Sequence, residues 1–298
     1  MDAFKMRIMR PIILLSLILV LVGCTSVRTG HEWKRFQGTV RDRVDQELLW
    51  EKSEEERAAI QREVNELLAD GLTRQEAARI ALLNNRQLQS AFEELGISKS
   101  DLIQAGLLSN PSLGAVFRFL ISSGSGTNID ADLLFPISDI WQIPFRKKAA
   151  AAQMEATILR VGQLVLETVA EAKRAYDAIH YFSEATGETE EILKRFMEIH
   201  DQVVIRRDFG YMSDLDIYLA QAMVVETEME LMRFQSEQAI AKSRLNRILA
   251  LSPAQIGYEI RDGWGEKQIR LPSLAEAIKY ALDHRLDIQI ARFKVQQA

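Results

Sequence analysis

From Ala149 to about Asp208 the chain runs for roughly 60 residues without a proline, with apolar side chains at helical spacing. Met154, Ile158, Val161, Val165, Ala172, Ile179 and Phe182, then Ile192, Phe196, Ile199 and Val203, fall mostly three, four or seven residues apart. At about 1.5 Å per residue this is a rod of roughly 90 Å, longer than a compact core needs. A narrow apolar stripe on so long a rod is stable only when neighbouring helices cover it. The pattern therefore predicts a helical hairpin, a bundle or an oligomer.

Phe209-Gly210-Tyr211-Met212-Ser213 interrupts the rod. Gly210 suits a left-handed helix C-terminus, and Ser213 suits the N-cap of a following helix. Leu215, Leu219, Ala222, Val225, Met229, Met232, Ile240, Leu245 and Leu249 carry that return helix to Leu251, where Ser252-Pro253 closes it. The return is shorter than the outgoing rod by roughly 20 residues, so other elements must line the remaining length.

Upstream, residues 30–70 are polar and charged, with a Glu-rich helical stretch from Gln46 to Asp70. Thr73 and Glu76 form a capping box opening one further helix, whose apolar positions Ala77, Ile80, Ala81, Leu88, Ala91, Phe92, Leu95 and Leu102 keep a helical period to about Leu108. Asn110-Pro111 ends it. The period then changes to two. Leu113, Ala115, Phe117, Phe119 and Ile121 alternate along one strand; Ile129, Ala131, Leu133, Phe135 and Ile137 alternate with Asp130 and Asp132 along a second. Ser122 to Asn128 reads as the turn between them. Strands of about 9 to 11 residues with one apolar face suit an outer-membrane hydrocarbon layer, with Trp141 placed like an interfacial residue. An amphipathic hairpin on a soluble domain fits the same pattern.

Lys5, Arg7 and Arg10 precede an apolar run, Pro11 to Val22, that is too short to span a bilayer and reads as a secretion signal. It stops at Leu21-Val22-Gly23-Cys24, which resembles the bacterial lipobox. The implied product begins at Cys24, carries a diacylglycerol on that thiol, and has Thr25 rather than the Asp that favours inner-membrane retention. Cys24 is the chain's one cysteine, which rules out an internal disulfide. With 37 Lys plus Arg against 42 Asp plus Glu and a net charge of -5, a basic nucleic-acid binder is excluded. His31, His180, His200 and His284 are scattered, and neither a phosphate loop nor a nucleophile motif occurs, so no catalytic residue, metal site or cofactor is expected.

Glu76-Ala77 and Ala81-Leu82 return 200 residues later as Glu276-Ala277 and Ala281-Leu282, with Leu88, Gln89 and Ala91 matching Ile288, Gln289 and Ala291. The expected division is a signal (1–23), a lipid-anchored extension (24–70), a first helix (71–111), two strands (112–143), a long helical hairpin (144–251) with its tip near 205–216, a connector (252–273) and the opening of a second repeat (274–298). A repeat that has barely begun implies a natural product extending by about 150 residues or more, with this sequence a fragment of it or a truncated reading frame.

This order, with Gln104-Ala105 through Asn110-Pro111 before the first strand, Gly210, Ser213, Asp216, Ala220 and Gln221 after the tip, and Arg244-Leu245-Asn246-Arg247-Ile248-Leu249 near the end of the return helix, resembles the outer-membrane factor (TolC-like) family of efflux channels, lipoprotein branch. Two family glycines are missing, one near Ala250 and one in the Phe145-Arg146-Lys147-Lys148 segment. The resemblance implies a mainly α fold with a membrane β-barrel part: long antiparallel coiled-coil hairpins forming a tunnel, and two strands per repeat of a trimeric 12-stranded barrel. It further implies a homotrimer in the bacterial outer membrane that conducts substrates passively in a tripartite efflux or type I secretion-like system, with a periplasmic adaptor and an inner-membrane pump as partners. Cys24 would be the lipid attachment; Arg118, Asp130 and Asp132 would face the lumen or rim. Arg206, Arg207, Asp208, Gly210, Tyr211, Asp214 and Asp216 would form the periplasmic gate and docking end. The simpler alternative is ordinary solvent exposure beside a turn for Arg118, Asp130 and Asp132, and a merely solvated hairpin end for the tip residues. For the whole chain the alternative is a non-pore periplasmic coiled-coil lipoprotein acting as scaffold or adaptor.

Overall fold

The structure, a computed structural model, describes residues 29–44, 46–110, 112–119, 127–134, 136–261 and 272–297. The expected lipobox at Leu21, Val22, Gly23 and Cys24 and most of the expected 122–128 turn lie outside them. The elements are α1 (Gly30–Val44), α2 (Glu54–Ala69), α3 (Arg74–Asn84), α4 (Arg86–Ala105), β1 (Ser112–Phe119), β2 (Thr127–Leu134), α5 (Asp139–Asp208), α6 (Asp214–Ile248), a 3-10 turn (Pro253–Gln255), α7 (Leu274–His284) and α8 (Leu286–Gln297).

The rod is α5, a single helix of 70 residues and about 105 Å. It begins ten residues before the expected Ala149 and takes in Pro144. Proline is tolerated there because it is the sixth helical residue: the one bond its missing N–H removes is to the carbonyl of Ile140, an exposed residue. α6 packs back along the distal part of α5, and α1, α3, α4 and α8 cover the proximal part. Those are the elements that the short return helix required. The stripe is accordingly split. Met154, Ile158, Val161, Val165, Ala172 and Ile179 are buried, whereas Ile192 and Ile199 stay exposed, because one return helix cannot cover both sides of a two-helix hairpin.

The expected single helix from Leu72 to Leu108 is instead two helices meeting at Asn85, whose φ of -66° and ψ of 116° are extended. The Asn85 amide closes α3 onto Ala81, and its side-chain oxygen accepts from the Leu88 N–H at 3.0 Å to cap α4. Competition of this kind between an Asn side chain and the backbone is what breaks a periodic apolar pattern. The break also clamps the end of α6. Asn84 Nδ2 donates to the carbonyls of Leu249 (2.8 Å) and Ala250 (2.9 Å), and Asn85 Nδ2 donates to that of Ile248 (2.8 Å). Three carbonyls that a helix C-terminus leaves without partners are thereby satisfied. Beneath them Leu72, Ile80, Leu245 and Leu249 are wholly buried.

The N-terminal stretch is less polar in its packing than in its composition. Phe36, Val40, Leu48 and Trp50 are buried, with Leu88, Phe92 and Leu95 of α4 and Ile158 of α5 in the same cluster. Trp33 meets Phe92 edge-on at 5.0 Å. The helix expected from Gln46 starts only at Glu54, because Ser53 caps it and residues 46–52 form an irregular strap. That strap is held by side chains: Gln37 Nε2 donates to Leu48 O, Gln89 Nε2 to Leu49 O, and Trp50 Nε1 to Glu93.

α7 and α8 reproduce α3 and α4. Each pair opens on a capping box, Thr73 with Glu76 and Ser273 with Glu276, and each breaks at one extended residue, Asn85 or Arg285 (φ -69°, ψ 125°).

Candidate functional site

β1 and β2 form a two-stranded antiparallel sheet with Leu113 opposite Leu133, Ala115 opposite Ala131 and Phe117 opposite Ile129. Side chains alternate faces along a strand, so this register gathers the odd-numbered apolar residues of both strands onto one face. Leu113 and Leu133 are 77% and 67% exposed, far more than a soluble core would leave them. The other face carries Gly114 opposite Asp132, Val116 opposite Asp130 and Arg118 opposite Asn128. The Asp132 carboxylate lies over Gly114, where a Cβ would meet Oδ1 at 2.5 Å, so glycine gives the acid room to lie along the sheet. β2 begins two residues earlier than expected, since Thr127 and Asn128 pair with Phe119 and Arg118. It also stops short of Ile137. Pro136 cannot donate to a ladder, and its carbonyl accepts from Asp139 N at 3.2 Å as the chain turns into α5. Phe135 lies outside the described residues.

The junction between sheet and rod was not legible as a site. The buried Asp139 carboxylate accepts from Ser109 N at 2.9 Å and lies 3.7 Å from Arg146, which also donates to Leu107 O at 3.3 Å. The Ser109 hydrogen bond leads in holding the Asp139 carboxyl below the usual range, with Arg146 a smaller contributor. The signal in the sequence is an acid and a base seven apart, two turns up the same helix face.

At the far end, α5 terminates in paired hydrogen bonds: Gly210 N donates to Arg207 O (2.8 Å) and Tyr211 N to Arg206 O (2.9 Å). This Schellman arrangement needs a left-handed residue between them, and Gly210 has φ of +82°. Ser213 then caps α6 reciprocally with Asp216, whose carboxylate accepts from Ser213 N at 2.8 Å. That bond holds the Asp216 carboxyl below its ordinary value. The expected tip residues are thus brought together but divided in role. Asp216 is committed to its own helix, Arg207 joins Asp208 (3.3 Å) and reaches Asp214 across the turn (3.8 Å), and Arg206 and Tyr211 are exposed. Phe209, Leu215 and Tyr218 add exposed apolar surface around them.

Among the described residues no cluster of three or more metal-ligating side chains occurs, and no helix is long and apolar enough to cross a membrane. No protein-family model and no curated protein matches the chain. Solved structures do. The chain is similar to CusC, described for conformational changes accompanying folding and transmembrane channel formation, at 16% identity and a TM-score of 0.60 over 75% of this chain and 54% of that one. It is similar to the outer-membrane channel CmeC of Campylobacter jejuni (15% identity, TM-score 0.59, 84% and 56%) and to the outer-membrane protein VceC of Vibrio cholerae (18%, 0.56, 75% and 56%). The chain spans about half the length of each of these proteins. Sequence identity this low speaks to fold alone, and over the matched half the chain shares the fold of these proteins.

Proposed function

We propose that this chain is part of an outer-membrane channel that passively exports substrates delivered by an inner-membrane pump through a periplasmic adaptor. The observation carrying this reading is the β1–β2 register, which gathers Leu113, Ala115, Phe117, Ile129, Ala131 and Leu133 on one face of a hairpin set on the end of a 70-residue helix. Two strands cannot stand alone in lipid, because their outer edges keep unpaired N–H and C=O groups; closure into a barrel with strands from further repeats and protomers removes those edges. A homotrimer supplies them. It also supplies helices against the exposed stripe of the hairpin, including Ile192, Ile199, Leu219, Met229 and Ile240. In this assembly Arg118, Asp130 and Asp132 face the lumen or rim, Cys24 carries the lipid anchor, and the tip around Arg206, Arg207, Asp208, Tyr211 and Asp214 serves as gate and docking end. Opening then means exchanging contacts such as Arg207–Asp214 for contacts with the adaptor.

The test is conductance. The longest native product, purified from outer membranes and inserted in planar bilayers, is expected to give stable pores. A monomeric, fully soluble product without conductance would sink the channel reading and favour the non-pore scaffold.

A further inference from the structure

β1 and β2 are antiparallel, so Ser112 and Leu134 meet at one end of the hairpin, and both connections to the helical body leave from that end. One is the 107–109 segment before β1; the other is the start of α5. Asp139, Arg146 and Lys147 turn toward the former: Asp139 binds Ser109, Arg146 binds Leu107 O, and the Lys147 stem lies beside Gly106. Helical spacing therefore places Trp141, Phe145 and Lys148, at i, i+4 and i+7, on the opposite face, directed away from the protein. Trp141 is 74% and Phe145 76% exposed, and Lys147 and Lys148 are exposed beside them. On α5 no acid follows Asp139 until Glu155, and Asp139 is already engaged.

We infer that Trp141, Phe145 and Lys148, flanked by the exposed Lys147, form a membrane-surface site for anionic phospholipid headgroups. The inference rests on the channel reading, since it needs β1 and β2 to cross the bilayer. Indole and phenyl rings settle at the depth where chains meet headgroups, and lysines one turn further from the sheet extend to phosphate oxygens. Lys147 and Lys148, followed by no acid on α5 until Glu155, complement a negative surface, and the patch lies on the first turns of α5, directly after the hairpin in the chain. Its consequence is positional: it fixes the height of the rod against the bilayer, independently of any lipid carried by Cys24.

The test uses the full chain bound to phosphatidylcholine vesicles with brominated acyl chains, with and without phosphatidylglycerol. The difference in tryptophan quenching between wild type and Trp141→Phe isolates Trp141 from the other three tryptophans. Trp141 is expected to be quenched. The gain in affinity from phosphatidylglycerol is expected to fall about 5-fold in Lys148→Gln and roughly 30-fold in Lys147→Gln/Lys148→Gln, and to vanish at high salt. An unquenched Trp141, or a phosphatidylglycerol dependence unchanged in the double variant, overturns the proposal. So does shielding of Trp141 by association of the chain with itself, which would assign the patch to a second copy. The same samples measured for conductance separate the two readings. Pores without lipid dependence sink only the headgroup site, whereas lipid dependence without pores sinks the channel.

Discussion

Ala250 is the one non-glycine described residue with positive φ, at 50°. It occupies the position after the C-cap of α6, where Ala250 N donates to Arg247 O (3.2 Å) and Leu251 N to Asn246 O (3.1 Å). This is the hydrogen-bond pattern in which Gly210 ends α5, built here on a residue with a Cβ. A left-handed alanine costs about 1–2 kcal/mol, and replacing it with glycine gives back about 0.4–1 kcal/mol through the freer unfolded chain. Ala250→Gly is therefore expected to stabilise the protein by about 0.5–1 kcal/mol, a rise in melting temperature of roughly 1–4 °C for a chain of this size. The strain is tolerated now because Asn84 Nδ2 holds the Leu249 and Ala250 carbonyls and fixes the chain path. Helical circular dichroism at 222 nm, followed during heating of the full chain, reads the shift. Ala250→Val, whose branched Cβ worsens the clash, should move it downward. An Ala250→Gly variant that melts at or below the wild-type temperature would refute the reasoning, because backbone strain would then not be what that position stores.

Asn84→Ala removes both donors from the end of α6 in a buried setting and is expected to cost about 2–4 kcal/mol, checked by urea unfolding. Gly210→Ala forces a Cβ into a left-handed conformation at a tip with open space around it; a loss of about 1 kcal/mol from backbone strain alone should appear in the same measurement. Ser213→Ala removes an N-cap and should cost about 1 kcal/mol, seen as faster exchange of the first amides of α6. Asp216 bears on acid stability. Its folded carboxyl titrates below the ordinary 3.8, so its contribution is complete above that value and is lost as pH falls through the lower folded value. Asp216→Asn is expected to abolish that step in a pH titration of the tip amides.

Much of the fold is written in local chemistry. The rod, its end at Gly210, the cap at Ser213 and the period change at Leu113 were legible because each is set by residues a few positions apart: helical spacing, a left-handed glycine, a serine facing an acid, strict alternation. The return of Glu76-Ala77 and Ala81-Leu82 as Glu276-Ala277 and Ala281-Leu282 made the repeat visible in the same way. Boundaries shifted where tertiary contacts outweighed local rules. Pro144 sits inside a helix whose first turn is fastened by Asp139 to Ser109, and Asn85 divides a continuous apolar pattern while its side chain donates to the Ile248 carbonyl of α6, 163 residues away in sequence. The strap at Leu48–Trp50 could not be read from a polar stretch, because its hydrogen bonds come from Gln37, Gln89 and Glu93 on other elements.

The sequence by itself determined the rod, its return helix and the strand pair, and which strand residues share a face, since backbone geometry alone imposes periods of 3.6 and 2. Only the tertiary structure decided which part of the rod is covered and which is bare, that the Asp216 carboxylate closes its own helix, and that Trp141, Phe145 and Lys148 look outward beside the sheet. Those outcomes depend on which groups distant in sequence arrive at the same place, and no local spacing encodes that.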